Sequence, residues 1–373
     1  MNVGIYTTVF PVYSHMFINE QISNLKRYKP LVILRTKLEE TDFPNVSISE
    51  GDFYSIKQKL FALTRNTCFF GLKKELSNLN LIHAHFGPDG TYAMALANKL
   101  NIPFLVTYHG LEVTFSRKAM CLTFKPNIYH FILHERELME KATFFIAVSR
   151  FIEKKIIEKG YPKQKIIQHY IGVDTEKFVP SVNNAANRYI FCVGRHTERK
   201  GIDTLLIAFS RVCKKHSDVS LIQAGKGPES ENLKKLAQSL GIGNRVHFLG
   251  ALPHKRIVNL MRNAEIFALT CQRAKDGDME SLGIVFNEAS ACGIPVVSTL
   301  HGGISEAVLH GKTGLLSEEK DYKAIAENLD ILLNDKPLAR QMGMNGRDFT
   351  CEMFDIRKQT RKLETIYDRV VNA

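Results

Sequence analysis

The chain has 373 residues, 45% hydrophobic and 24% charged, which suits a globular protein of two ordinary domains and excludes a disordered or membrane-embedded one. No apolar run approaches the roughly 18–20 residues that span a bilayer, and the N-terminal M-N-V-G-I-Y lacks the basic region and cleavage site of a signal peptide. The formal charge of +12 is spread along the chain, slightly heavier in the first half; with no RRM, helix-turn-helix or zinc-finger pattern it points away from nucleic acid, toward anionic lipid, phosphorylated ligands or a merely soluble basic surface.

Short β-rich runs alternate with helical stretches, the pattern of parallel sheets in an α/β protein. The first strand is predicted over Val3–Thr7, ending at Phe10-Pro11. A helix from about Ser14 then sets Phe17, Ile18, Ile22 and Leu25 on one face. Residues 53–76 mix aromatic and aliphatic side chains with five Lys or Arg, and Arg117–Phe131 is similar. Each reads either as an amphipathic segment on a membrane surface or as a core helix with a solvated basic face. L-I-H-A-H-F-G (81–87) and P-F-L-V-T-Y-H-G (103–110) are predicted buried strands. Open α/β sheets bind ligands at the C-terminal strand ends, where His109 falls; His83 and His85, within the first of these strands, read as structural. A strand over 144–149 leads to a helix, Arg150–Lys159, with Ser149 as its cap. The polar, aperiodic stretch Val179–Arg188 reads as a linker.

Beyond it, a strand ends at Gly194, a basic loop carries Arg195 and Lys200, and a helix begins near Ile202. L-I-Q-A-G-K-G-P-E (221–229) runs a strand into a glycine turn but lacks the third glycine of a dinucleotide fingerprint. Strands are also predicted at 245–250 and 265–270. In Asp276–Ser298, Glu280 and Glu288 bracket a helix start at which Gly283 permits a tight turn. The helix runs through Ile284, Val285, Phe286 and Ala289, and Gly293 and Pro295 end it before a buried strand at Val296-Val297. The first-turn amides at Leu282, Gly283, Ile284 and Val285 have no partner within the helix. With the helix dipole they make a socket for an anion such as a diphosphate. Glu280 and Glu288 lie roughly 12 Å apart along a helix axis, too far for two carboxylates acting on one bond, which sit about 5–9.5 Å apart. That spacing suits an extended ligand with hydroxyls at both ends and a phosphate between, such as a nucleotide-sugar. By itself it equally allows an N-cap-region acid and a solvated helix residue. Helical stretches follow at 322–333, 336–349 and Asp355–Val371.

The Glu280–Glu288 segment, with its trailing G-I-P-V-V-S and G-G-I-S-E-A-V, resembles the Glu-x7-Glu signature of family-4 retaining glycosyltransferases. G-R-H-T-E-R-K-G (194–201) is similar to that family's G-R-x-x-x-x-K-G, and Q-H-Y-I-G-V-D (168–174) to its N-G-V-D. T-Y-H-G-L-E (107–112) is similar to T-x-H-G-x-D, with Glu112 in place of the usual Asp. F-P-V-Y-S-H-M-F-I (10–18) resembles the F-P-x-x-S-x-x-F-I of the exopolysaccharide and colanic-acid type.

The resemblance implies a GT-B fold: two Rossmann-like domains with parallel sheets facing across a cleft. Residues 1–180 would form the acceptor-side domain, with the last helix (355–373) crossing back onto it, and 187–354 the nucleotide-sugar domain. It implies retaining, metal-independent transfer of a sugar from a UDP- or GDP-linked donor to a glycan or lipid-linked acceptor, in bacterial cell-surface polysaccharide biosynthesis. Arg195 and Lys200 are then expected to grip the donor diphosphate, beside Gly194 and the amides of Leu282, Gly283, Ile284 and Val285. Glu280 would face the donor sugar, Glu288 the ribose, and His109 the sugar near the reaction centre; Ser14 and His15 are candidate acceptor contacts. The D-G-D at 276–278, a metal-binding pattern in the other major glycosyltransferase fold, is read here as loop acids, and no metal is expected. Seven scattered cysteines without a C-x-x-C pair read as reduced thiols. The expected location is cytoplasmic, peripheral on the inner face of the cell membrane. A nucleotide-sugar epimerase or hydrolase on the same frame, or a non-catalytic assembly scaffold, are the alternatives.

Overall fold

The computed structural model describes residues 1–10, 16–37, 41–50, 56–70, 74–181 and 188–373. The chain divides into two compact units, Met1–Gly172 with Ile356–Ala373, and Val173–Asp355. In the first, the described residues form one sheet from β1 (Asn2–Phe10), β2 (Lys29–Lys37), β3 (Asn45–Glu50), β4 (Leu81–His85), β5 (Phe104–Tyr108), β6 (Phe144–Ala147) and β7 (Ile166–Gln168). Its order is β3-β2-β1-β4-β5-β6-β7. Every neighbouring pair is parallel, so each return of the chain crosses over a face of the sheet, and both faces are covered.

That double covering explains why β4 and β5 are buried along their whole length rather than in alternation. One core contains Tyr6, Ile33, Tyr92, Phe131, Phe145 and Tyr161. The other contains Val3, Ile5, Ile18 and Leu105 together with Leu363, Ile366, Tyr367 and Val370 of the last helix, Ile356–Val371. Polar ties fix that helix in place: one Glu364 oxygen accepts the main-chain amides of Lys26 and Arg27 at 2.7 and 2.6 Å, and the Tyr28 hydroxyl donates to Asp368 at 2.9 Å.

The second unit is a parallel sheet of β8 (Arg188–Val193), β9 (Val219–Ala224), β10 (Val246–Phe248), β11 (Ile266–Ala268), β12 (Val296–Thr299) and β13 (Gly314–Ser317), ordered β10-β9-β8-β11-β12-β13. Strand order reverses beside β8, which places the loops after β8 and β11 side by side at the carboxyl ends of the strands, where open α/β sheets bind ligands. Those loops are Gly194–Gly201 and the run from Leu269 to Gly283.

Several local expectations shift. The observed unit boundary at Gly172/Val173 precedes the expected one, because the Val173 amide donates to the Phe354 carbonyl at 2.7 Å and the Thr175 hydroxyl to Asp355 at 2.6 Å. The single segment expected over Arg117–Phe131 is two helices, Arg117–Cys121 and Pro126–Lys141. Phe124 at φ 52° turns the chain between them, and Pro126 opens the second. Of residues 53–76, Ile56–Thr64 and Lys74–Ser77 are helical, and 51–55 and 71–73 lie outside the described residues, as does most of the expected linker. Among the described residues no helix is long and apolar enough to cross a membrane.

Candidate active site

After β8 the chain turns through Gly194–Gly201, with a short 3-10 turn at Glu198–Lys200. Gly201 sits at φ 57°, and a Cβ there would lie 1.9 Å from the Thr270 carbonyl oxygen. Only glycine permits this contact between the loops after β8 and β11. The Thr270 hydroxyl donates to the Gly201 carbonyl at 2.6 Å, and the Gln272 amide to the Arg199 carbonyl at 2.9 Å. The close approach delivers the Lys200 ammonium to Glu280 Oε2 at 2.5 Å, with Arg199 at 3.8 Å from Oε1. Arg199 also bridges to Asp278 at 3.1 Å and donates to the Met279 carbonyl at 3.2 Å.

Burial alone would push the Glu280 carboxyl up, but the Lys200 and Arg199 cations outweigh it and hold the group well below the usual carboxylate range. Glu280 is therefore a buried carboxyl whose ionised form the two cations favour. Its main chain is pinned as well: its amide donates to His301 Nε2 at 3.1 Å, and its carbonyl accepts from the Gly303 amide at 3.1 Å. For Asp278, burial prevails over the Arg199 cation and its pKa is raised.

Gly283, at φ 75°, starts the helix Ile284–Ala291. The first turn therefore begins at Ile284 and not at Leu282 as expected: the Phe286 amide already donates to the Gly283 carbonyl at 2.9 Å, and among the described residues no acceptor is found for the amides of Ile284 and Val285 at the positive end of the helix dipole, nor for those of Leu282 and Gly283 just before it. One helical turn further on, Glu288 lies 3.9 Å from His254 Nε2, and the Lys177 ammonium donates to His254 Nδ1 at 2.9 Å.

In the first unit, His109 follows β5. Its Nε2 lies 3.1 Å from His85 Nδ1, and the two rings stack. Phe17 and Phe86 flank it, with ring centroids at 4.9 and 4.5 Å. The buried Glu112 carboxylate accepts the amides of Gly87, His109 and Gly110 at 3.1–3.2 Å, clamping the loop after β4 to the loop after β5. His83 is bonded to Tyr367 and Thr107 inside the core, and burial holds it well below the ordinary histidine range.

Comparison with known proteins settles the family. The profile described as "Glycosyl transferases group 1" matches residues 173–349, and that described as "Glycosyltransferase Family 4" matches 39–177. The chain belongs to glycosyltransferase family 4. It is 33% identical over 239 residues to the GDP-mannose-dependent alpha-(1-6)-phosphatidylinositol monomannoside mannosyltransferase of Mycolicibacterium smegmatis, a match covering 61% of this chain and 63% of that enzyme. To the putative colanic acid biosynthesis glycosyltransferase WcaL of Escherichia coli it is 30% identical over 66% of this chain and 59% of the relative. The GT-B fold is shared with Anabaena HepE, solved in complex with UDP and glucose, at a TM-score of 0.77 and 21% identity, covering 98% of this chain and 99% of that one.

In this family-4 chain the expected site residues fall into separate groups. Lys200 and Glu280 are in contact. Leu282 and Gly283 lead into the helix that begins with Ile284 and Val285 and carries Glu288. Arg195 is exposed in the loop after Gly194, His109 belongs to the other unit, and Ser14 and His15 lie outside the described residues. Asp276 and Asp278 are tied locally: Asp276 accepts the Asp278 amide at 2.9 Å, and Asp278 pairs with Arg199. Among the described residues no group of three or more His, Cys, Asp or Glu is arranged to hold a metal ion. Sequence reasoning missed Arg199, His254, His301 and Glu319. Arg199 carried a usable signal, a second cation beside Lys200 facing a loop with three acids. His254 reaches the site from the start of the helix His254–Arg262 and His301 from the loop after β12, and no spacing rule links either to it.

Proposed function

We propose that the protein is a retaining, metal-independent hexosyltransferase that moves a sugar from a UDP- or GDP-linked donor to a glycan or lipid-linked acceptor for a cell-surface polysaccharide. The observation that carries this reading is the pairing of buried Glu280 with Lys200, in a loop joined to a helix whose first two amides, Ile284 and Val285, find no acceptor among the described residues. Lys200 and Arg195 would take the donor diphosphate together with the amides of Leu282–Val285, so that charge on the departing nucleotide meets fixed donors rather than water. Glu280, held in its ionised form by Lys200 and Arg199, would accept hydrogen bonds from the donor hexose, and Glu288 from the ribose hydroxyls. His109 is assigned to the sugar. In a front-face reaction the leaving phosphate oxygen takes the acceptor hydroxyl's proton as the new glycosidic bond forms on the face the nucleotide leaves.

A lipid-linked acceptor fits the relatives' names, one acting on a phosphatidylinositol mannoside, and it fits the surface of the first unit. Ile56, Leu60 and Leu63 stand exposed at i, i+4 and i+7 of the helix Ile56–Thr64, with Ile56 at 76% and Leu63 at 78% exposure. Leu122, Phe124 and Leu133 are exposed near Lys118 and Lys125. This points to peripheral attachment to an anionic membrane surface.

The test is kinetic. Lys200→Ala is expected to lower kcat about 10²–10³-fold, the usual loss for one donor to a developing anion. Glu288→Ala should act mainly on donor KM, and activity should survive EDTA. Wild-type kinetics for both variants would remove the assignment, and free sugar or an epimer as the main product would favour the alternative chemistry.

A further inference from the structure

His301 follows β12, and its side chain is wholly buried. Its Nδ1 lies 2.5 Å from Glu319 Oε1, and its Nε2 accepts the Glu280 main-chain amide at 3.1 Å. A main-chain amide can only donate, so Nε2 must carry a lone pair and the ring proton must reside on Nδ1. Glu319 makes that tautomer favourable, because a carboxylate oxygen can only accept. Its other oxygen accepts the Arg273 amide at 2.9 Å. One carboxylate and one imidazole thus link three loops: the one after β11, the one after β12 and the one after β13. Gly302, next along, sits at φ 56°, and a Cβ there would lie 2.0 Å from the Glu280 carbonyl oxygen. Both main-chain polar groups of Glu280 are therefore held from the loop after β12.

We infer that His301 and Glu319 are positioning residues for Glu280: the Glu319 carboxylate selects the Nδ1–H form of His301, whose bare Nε2 then holds the Glu280 amide and fixes where its side chain stands. Lys200 and Arg199 hold the head of that side chain, and His301 holds its root. A carboxylate anchored at both ends keeps one direction toward a bound sugar, whereas release of the root lets it follow Lys200. The catalytic part of this inference rests on the assignment of Glu280 to the donor sugar. The tautomer does not.

The experiment has two readouts. Protein labelled with ¹⁵N-histidine and recorded in a long-range ¹H–¹⁵N correlation should show one histidine protonated on Nδ1 and unprotonated on Nε2, assigned by its absence in His301→Phe. Glu319→Gln should shift or switch that signal, since its amide must turn N–H groups toward either the imidazole Nδ1–H or the Arg273 amide. An Nε2–H form or an imidazolium at His301 overturns the inference. In transfer assays His301→Phe should lose about tenfold in kcat with little change in donor KM, within the usual range for loss of a residue behind a site. His301→Gln offers an acceptor and a donor on one planar group and should recover most of that loss. A His301→Phe enzyme with wild-type kcat, or a His301→Gln enzyme no better than Phe, also overturns it. If Glu280→Gln itself transfers at the wild-type rate, the assignment of Glu280 fails, while the spectrum still reports the hydrogen bonds at His301.

Discussion

Asp89 shows how much one side chain can decide. It is buried at the start of the helix Gly87–Leu100, accepting the Thr8 amide at 2.8 Å and also the Thr8 hydroxyl. Burial raises its pKa to about 6, against smaller opposing effects from Thr8 and Arg35. The fold therefore favours the protonated acid. That contribution is complete below about pH 4 and is lost as pH rises through about 6, a swing of about 2–3 kcal/mol for a shift of roughly two pKa units. Asp89→Asn should remove it, so that the variant gains on wild type in urea unfolding between pH 4 and pH 7. Parallel pH profiles for the two proteins would contradict this. At this scale the sequence was legible where chemistry is written into spacing. The helix start at Gly283 could be placed from its glycine ahead of an apolar run, whereas Lys200 and Glu280 were singled out by the family resemblance, since spacing alone equally allows a surface lysine and an N-cap-region acid. Arg199 was not, because one cation among several in a loop carries no mark of which carboxylate it will meet. Glu112 was doubtful as a departure from Asp, yet its extra methylene still leaves both oxygens facing three amides.

At the scale of elements, burial on both faces made β4 and β5 easy to read, since unbroken apolar runs bounded by polar residues have few other uses. The cap at Ser149 was equally plain, and its hydroxyl does accept the Ile152 amide at 3.1 Å. The stretch Arg117–Phe131 was misjudged because hydrophobic periodicity continues across the break; the stop comes from a left-handed residue at Phe124 and the proline two residues later. The helix Ile56–Thr64 buries Gln58 and Phe61 while exposing Ile56, Leu60 and Leu63. Those three positions make a direct test of attachment. The protein should co-sediment with vesicles containing phosphatidylserine or phosphatidylglycerol at low salt, and a Leu60→Glu/Leu63→Glu variant should remain in the supernatant with its thermal unfolding unchanged. Equal sedimentation of the two proteins would remove the membrane role of this helix.

At the scale of the molecule, the two units differ in how they are assembled from the chain. The second is continuous, Val173–Asp355, whereas the first needs residues from both ends of the sequence. Truncation after Asp355 would strip Leu363, Ile366, Tyr367 and Val370 from one core and leave His83 without its Tyr367 partner. At about 1.5–3 kcal/mol for each fully buried apolar side chain, that loss rivals the whole ~5–15 kcal/mol margin of a domain. Limited proteolysis of the truncated chain should leave a resistant fragment close to 173–355 and degrade the rest. A resistant first unit would show that the helix is dispensable.

The placement of Ile356–Val371 also bears on the order in which the protein can be built during translation. Domains generally mature from the N-terminus as they leave the ribosome. Here the earliest-made half must wait, its sheet open on the side that Tyr367 and its neighbours will close, while Val173–Asp355 emerges and folds. A nascent chain paused after Val173–Asp355 has emerged and before the final helix would hold a finished second unit and an unfinished first one, and chaperones would find their substrate in the part synthesised first.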